Sequence, residues 1–242
     1  MMSQTRQPQA SPESPILAPG PSASPMLLKE RAFEEIKALI QSGEMSPQST
    51  LSERQLETRL GMSKTPIRAA LENLESQGLV TVSPQRGIFV RELSAREIAE
   101  IFDVRTAVEP VIAAQLARSS MTSSQRDAMK SNLRRQALAA EAEDSLAATQ
   151  LDIAFHRLLA GLLDNREMML WLERCFDRLH RSILQVNRLA PGRLHKSCQD
   201  HEAVAKAIME GFDDEAARLM REHLGFGRRF LLLGDASSDR DG

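Results

Sequence analysis

"LSERQLETRLGMSKTPIRAALENLESQGLVTVSPQRGIFV" spans residues 51–90, and its own punctuation divides it. Ser52 with Gln55 three positions on has the spacing of a capping box, so a short helix starts there. Thr65 is the expected N-cap of the next helix, with Pro66 at its first helical position and Gly78 at its stop. Beyond Gly78, "LVTV" and "IFV" are β-branched and apolar, and the Pro- and Gly-bearing "SPQRG" separates them as a turn separates the strands of a hairpin.

Upstream, apolar residues at 27, 28, 33, 36, 39 and 40 predict a helix from Met26 to about Gln41, which "SGEMSPQS" breaks. The order is helix, helix, turn, helix, hairpin. A helix-turn-helix with a two-stranded wing has this order, and its second short helix is the one that can enter a DNA major groove.

Net charge is -2 and the pI near 6.2, so no global basic field marks a nucleic-acid partner and any such binding needs a local patch. Residues 26–93 carry nine Lys or Arg and nine Asp or Glu, so position must decide. Between Thr58 and Leu71 the charged side chains are Arg59, Lys64 and Arg68, and the acids of the helix 65–78 lie in its later half at Glu72 and Glu75. The helix start is positive, and its free N–H groups add to that field. Ser63, Lys64, Thr65 and Arg68 are the expected DNA contacts, with Arg54 and Arg86 nearer the backbone and the wing tip.

Aromatics are only 4% of the chain while Ala, Leu, Glu and Arg abound, the usage of a mostly helical protein. From Ser94, where "SARE" repeats the capping-box spacing, helical periodicity continues to about Leu233. The expected spans are 94–118, 122–143, 146–163, 165–189, 194–211 and 213–233, with Pro110 able to kink the first. Residues 1–25, rich in Pro, Ser, Ala and Gln, are expected to form a disordered tail, and 234–242 a frayed end. Cys175 and Cys198 lack CxxC spacing, and no apolar run of about 20 residues occurs, so a cytoplasmic setting with no membrane contact is expected.

On a helical wheel Asp152 and His156 fall one turn apart, between Leu159 and Leu163 on the flank of a buried face. His201 shares a stripe with Leu194, Cys198, Val204, Ala205, Ile208 and Phe212, and His223 sits amid Ala216, Leu219, Met220, Phe226 and Phe230. Interior imidazole and carboxylate groups need partners. Asp152, His156, His201 and His223 together suit a divalent metal, Zn first and Ni, Mn or Fe as alternatives. Separate hydrogen bonds to neighbours would satisfy them too, as expected for His180 and His195. Arg105 and Glu109 lie within the apolar stripe of the helix 94–118, where they can pair at i, i+4 or hold a small organic acid by the Arg fork. Asn187 is a candidate for an effector hydroxyl.

The 51–90 stretch, including "SKTPIRAAL", resembles the winged helix-turn-helix of GntR-family bacterial transcription regulators; Lys64 stands where that family usually has Arg. The resemblance implies DNA contacts at Arg54, Ser63, Lys64, Thr65, Arg68, Arg86 and Gly87. The block 94–233 resembles the FCD effector-binding domain of the FadR-type subgroup, and D-x-x-x-H followed by two His 22 positions apart is similar to the signature of its metal-binding members.

The expectation is therefore a mainly α protein: a winged helix-turn-helix of three helices plus a β-hairpin over residues 26–93, then an all-α bundle over 94–233 for effector binding and dimerisation. It would be a homodimeric repressor on an inverted-repeat operator, tuned by a small carboxylate at the metal. Two rival expectations stand beside it: a metal-dependent hydrolase with Glu109 as base, and a constitutive DNA-binding protein with a purely structural ion.

Overall fold

The computed structural model describes residues 25–46, 51–83, 86–190 and 192–233. Residues 1–24 of the expected tail, the end 234–242, and Pro84 and Gln85 of the hairpin turn lie outside the described residues, while Pro25, expected in the tail, begins the first helix, its fixed φ suiting a helix start.

Helix α1 (Pro25–Ser42) buries Ala32, Ile36 and Ile40 along one stripe. Helix α2 (Glu53–Leu60) begins at the expected capping box: the Gln55 N–H donates to Ser52 Oγ at 3.2 Å and the Ser52 N–H to Gln55 Oε1 at 2.8 Å. It stops at Gly61, whose φ of +62° is the left-handed conformation that glycine adopts without a Cβ clash.

Helix α3 (Lys64–Ser76) departs from expectation at its start. Its N-cap is Ser63, not Thr65, and Pro66 is its third residue rather than its first. The physical reason is that every N–H of a first turn lacks an intrahelical acceptor, so proline is tolerated throughout that turn and does not fix the register alone. At the other end Gly78, with φ +73°, follows the last turn as expected.

Strands β1 (Val80–Ser83) and β2 (Gly87–Val90) pair antiparallel, with Val80 opposite Val90 and Ser83 opposite Gly87. Leu51 bridges to Ile88, the two residues exchanging backbone hydrogen bonds of 3.2 and 2.8 Å. Ile36, Leu56, Ile67, Leu71, Leu74, Val80 and Ile88 close one core around these elements.

A second core is built by α4 (Ala95–Arg118), α5 (Ser123–Glu141), α6 (Ser145–Leu163), α7 (Arg166–Leu189), α8 (Gly192–Glu210) and α9 (Asp213–Leu233). Helix α4 runs against α9, α8 against α9, and α6 against both α5 and α7. Pro110 is buried within α4, which continues through it. Phe102, Phe155 and Phe176 are fully buried, each stabilising the bundle by about 1.5–3 kcal/mol.

The two cores meet along α1 and α7. Asp177 of α7 accepts from Lys37 Nζ at 2.5 Å and from Gln41 Nε2 at 3.5 Å, both on α1, and from Arg157 Nη2 of α6 at 3.1 Å. The Lys37 and Asp177 side chains are only 14% and 8% exposed, so the pair is poorly screened by water. His180, one turn further along α7, is buried, and burial together with Arg157 pushes its pKa down to about 4. Lys37→Met should destabilise the chain by about 1–3 kcal/mol, because it leaves Asp177 with Arg157 as its remaining cation. Urea unfolding of variant and parent measures this, and equal midpoints would show the pair to be energetically idle.

Candidate metal centre and nucleic-acid interface

Asp152 and His156 project from one face of α6, His201 comes from α8 and His223 from α9. Packing of the three helices brings one ligand atom from each residue within 4.8 Å of the others. All four residues singled out by periodicity therefore meet. Nε2 of His201 lies 3.3 Å from Nε2 of His156, 3.1 Å from Nε2 of His223 and 3.7 Å from Asp152 Oδ1.

Three Nε2 atoms turned on one another are hard to satisfy among themselves, since a neutral imidazole carries one donor and one acceptor. A cation at their centre would accept all three lone pairs. Donors about 2.0–2.1 Å from a tetrahedral zinc ion are about 3.4 Å apart, close to the 3.1–3.7 Å that separates His201 Nε2 from the other three donors. The set fits a divalent ion.

Burial holds the His201 pKa well below its usual value, and neighbouring His223 adds to the effect. Burial also lowers His223, against the opposing pull of Asp200. For Asp152 burial acts upward, but His201, His156, His223 and Arg193 outweigh it and hold the carboxyl well below the ordinary range. Neutral imidazoles and an ionised carboxylate are the forms a metal ion binds.

The outward Nδ1 atoms face oxygens. That of His201 is 2.8 Å from Gln136 Oε1, that of His156 2.5 Å from Glu109 Oε2, and that of His223 3.6 Å from Asp200 Oδ2, beyond hydrogen-bond range. Ser197 Oγ donates to Asp152 Oδ1 at 2.8 Å. Gln136 and Ser197 were not singled out from the sequence.

Arg105 and Glu109 meet as the i, i+4 spacing suggested, Arg105 Nε donating to Glu109 Oε1 at 2.5 Å. Burial would raise the Glu109 pKa, but Arg105 and then His156 outweigh it and bring it down to about 2. The Arg105 guanidinium stands 5.1 Å from the ring centres of both Phe102 and Phe176. Its Nη2 is buried without a hydrogen-bond partner among the described residues. Asn187 is engaged already: its Nδ2 donates to Thr149 Oγ1 at 2.8 Å and its Oδ1 accepts from Arg193 Nη1 at 2.7 Å. Asn187 nonetheless lines a small cleft with Gln136, Asp152 and Ser197.

Around the first core, Arg54, Ser63, Lys64, Thr65, Arg68 and Arg86 are exposed, and Gly87 is half-buried with φ +104°. The Ser63 side chain makes no capping hydrogen bond, so the first N–H groups of α3 stay open to an anion. Glu53 of α2 was missed: Arg68 Nε donates to both of its oxygens at 3.0 Å, and Lys64 Nζ lies 3.5 Å from it. The positive helix start is thus partly neutralised within the chain.

Residues 28–90 match the family described as bacterial regulatory proteins, gntR family, and residues 100–226, more than half of the chain, match the FCD domain. The chain belongs to the GntR family. This GntR regulator is 28% identical over 185 residues to the HTH-type transcriptional repressor RspR of Escherichia coli (strain K12), covering 74% of this chain and 78% of that one. It is 27% identical over 222 residues to the putative L-lactate dehydrogenase operon regulatory protein of the same strain, covering 84% and 85%.

Its fold is shared with the solved structure of E. coli McbR/YncC, with a TM-score of 0.75 at 20% identity over 84% of this chain and 96% of that one. A putative transcriptional regulator GntR from Rhodococcus sp. RHA1 gives a TM-score of 0.72 at 21% identity, over 84% and 97%. The chain is a bacterial DNA-binding transcription regulator with an FCD effector-binding domain, as the sequence suggested. Among the described residues no helix is long and apolar enough to cross a membrane.

Proposed function

We propose that this GntR regulator is a repressor whose operator affinity is set by a small carboxylate bound at a divalent metal, zinc before nickel, manganese or iron. Asp152, His156, His201 and His223 hold the ion. The observation that carries the proposal is the buried Nη2 of Arg105, without a partner among the described residues and joined to His156 of this donor set through Glu109, because a guanidinium edge and a metal together suit a carboxylate. Glu109 belongs to the site by orienting Arg105 and His156, and Asn187, one N–H of which is taken by Thr149, offers the second N–H of Nδ2 to a ligand hydroxyl. The printed name of one relative, an L-lactate dehydrogenase operon regulator, supports a short hydroxy acid as effector.

In this reading Arg54, Ser63, Lys64, Thr65, Arg68, Arg86 and Gly87 form the DNA-contacting surface, and two copies read an inverted repeat in the cytoplasm. Exposed Leu170 and Trp171 of α7, beside Val104 of α4, supply the apolar surface for a homodimer. Effector binding shifts the balance between arrangements of the two heads, and operator affinity changes by the differential binding free energy. Both Glu109 oxygens face Arg105 or His156, which favours a sensor over a hydrolase needing a free general base.

The experiment is a thermal-shift screen against small carboxylic acids, lactate and other 2-hydroxy acids first, with and without the metal. One acid should stabilise the metal-loaded protein by about 2.7 kcal/mol at a hundredfold excess over its Kd, and leave the chelated protein unmoved. No response to any acid, with chelation alone collapsing the fold, would make the ion structural and sink the effector reading.

A further inference from the structure

Helix α5 gives no ligand to the candidate metal centre, yet its buried stripe contains two amides one turn apart, Asn132 and Gln136. They form a hydrogen-bonded line whose polarity is fixed at one end. Asn132 Nδ2 lies 3.2 Å from the backbone carbonyl of Leu151 on α6, and a carbonyl can only accept. Asn132 must therefore turn its NH2 toward Leu151 and its Oδ1 toward Gln136. Gln136 Nε2 donates to that Oδ1 at 2.6 Å, so Gln136 presents Oε1 at its far side, 2.8 Å from His201 Nδ1. An amide oxygen also only accepts, so His201 carries its proton on Nδ1 and offers a bare lone pair at Nε2.

We infer that Asn132 and Gln136 are positioning residues that select the metal-binding tautomer of His201, with the Leu151 carbonyl as the fixed end of the relay. The inference rests on the metal reading above for its purpose, while the tautomer is a property of the metal-free chain. His201 is the imidazole for which the choice matters most, since its Nε2 faces both other imidazoles and Asp152. Its ring stacks on Phe155, centroids 4.3 Å apart, so packing restricts the plane and the amide decides which nitrogen points inward. Partners of this kind, behind a metal-binding imidazole, typically alter metal affinity by about 10–100-fold.

The test uses the full chain and Gln136→Met, which keeps the volume and removes the acceptor. Zinc affinity, read by competition with a chromophoric chelator, should fall by about 10–100-fold. Nitrogen-15 spectra of the metal-free protein should show His201 as a single Nδ1–H tautomer in the parent and as a mixture in the variant. Asn132→Leu leaves Gln136 free to flip and should mimic the loss in part. Adding Gln136→Glu to Asn132→Leu gives His201 an acceptor that cannot flip, with no amide oxygen facing it, and should restore both readouts relative to Asn132→Leu, which a purely packing role would not require.

If the parent binds zinc and Gln136→Met binds it equally well with His201 still protonated at Nδ1, the relay is overturned. Should the parent bind no divalent ion, the metal reading fails, and the nitrogen spectra still decide the relay. If Gln136→Met unfolds, Asn132→Leu and its double variant with Gln136→Glu carry the test: an unchanged tautomer with unchanged zinc affinity in the first, or a mixed tautomer in the second, overturns it.

Discussion

His201→Ala is expected to weaken divalent-metal binding by at least about a hundredfold. Binding at a four-ligand zinc site is worth about 10–16 kcal/mol, so one ligand's share is about 3 kcal/mol, and each 1.4 kcal/mol is a factor of ten. The loss should be larger than for Asp152→Ala, because His201 is fully buried and its Nε2 approaches every other donor, whereas Asp152 sits half-buried at the edge of the set. His195→Ala, an exposed change on the same helix, is the control. Chelator-competition titrations measure all three. A His201→Ala chain binding zinc within threefold of the parent would remove that imidazole from the ligand set.

Arg68→Ala should lower operator affinity by about 1–3 kcal/mol per half-site if Arg68 reads a base, with relaxed sequence preference at that position. Glu53→Gln should act in the opposite direction. Arg68 and Lys64 now spend their charge on Glu53, and DNA must displace that carboxylate before a phosphate or base takes its place. Removing the competitor should tighten binding to operator and to random sequence alike, most strongly at low salt. Fluorescence-anisotropy titrations over a salt series separate the two variants. Operator binding unchanged by Arg68→Ala would take this residue off the interface, and unchanged binding by Glu53→Gln would show the competing pair to be without consequence.

Much of this was legible because it is local. Capping boxes at Ser52 and Ser94 involve residues three apart, so sequence alone marks both helix starts, and the structure contains both. The convergence of Asp152, His156, His201 and His223 was legible because each imidazole lay in an apolar stripe, where an unpaired polar group is costly. The start of α3 was misplaced because proline is tolerated anywhere in a first turn. Glu53 was missed because its contact with Arg68 depends on how α2 and α3 cross, which periodicity does not encode.

Gln136 and Asn132 did leave a signal. Two amides at i, i+4 fall among Met129, Leu133 and Ala140 on the buried side of α5, and buried amides require partners as surely as buried histidines do. Ser197 is likewise one turn before His201 on the inward face of α8. Burial of charged and imidazole groups is rarer and so marks a site more strongly; the neutral polar residues that orient them carry the same obligation with a weaker compositional mark.

The shared carboxylate of Asp177 bears on how regulators of this kind can be recombined. A chimera joined near residue 93 would look modular, since the two cores are separate and the connection is short. Yet the receiving bundle would keep Asp177 and Arg157 while the incoming head supplied its own residue at position 37. A donor head with a cation there completes the joint; one with an acid there places two carboxylates together in a poorly hydrated seam. Interchangeability of the DNA-reading part thus depends on α1 as well as on the residues that read DNA, which gives builders of hybrid sensors position 37 to match first.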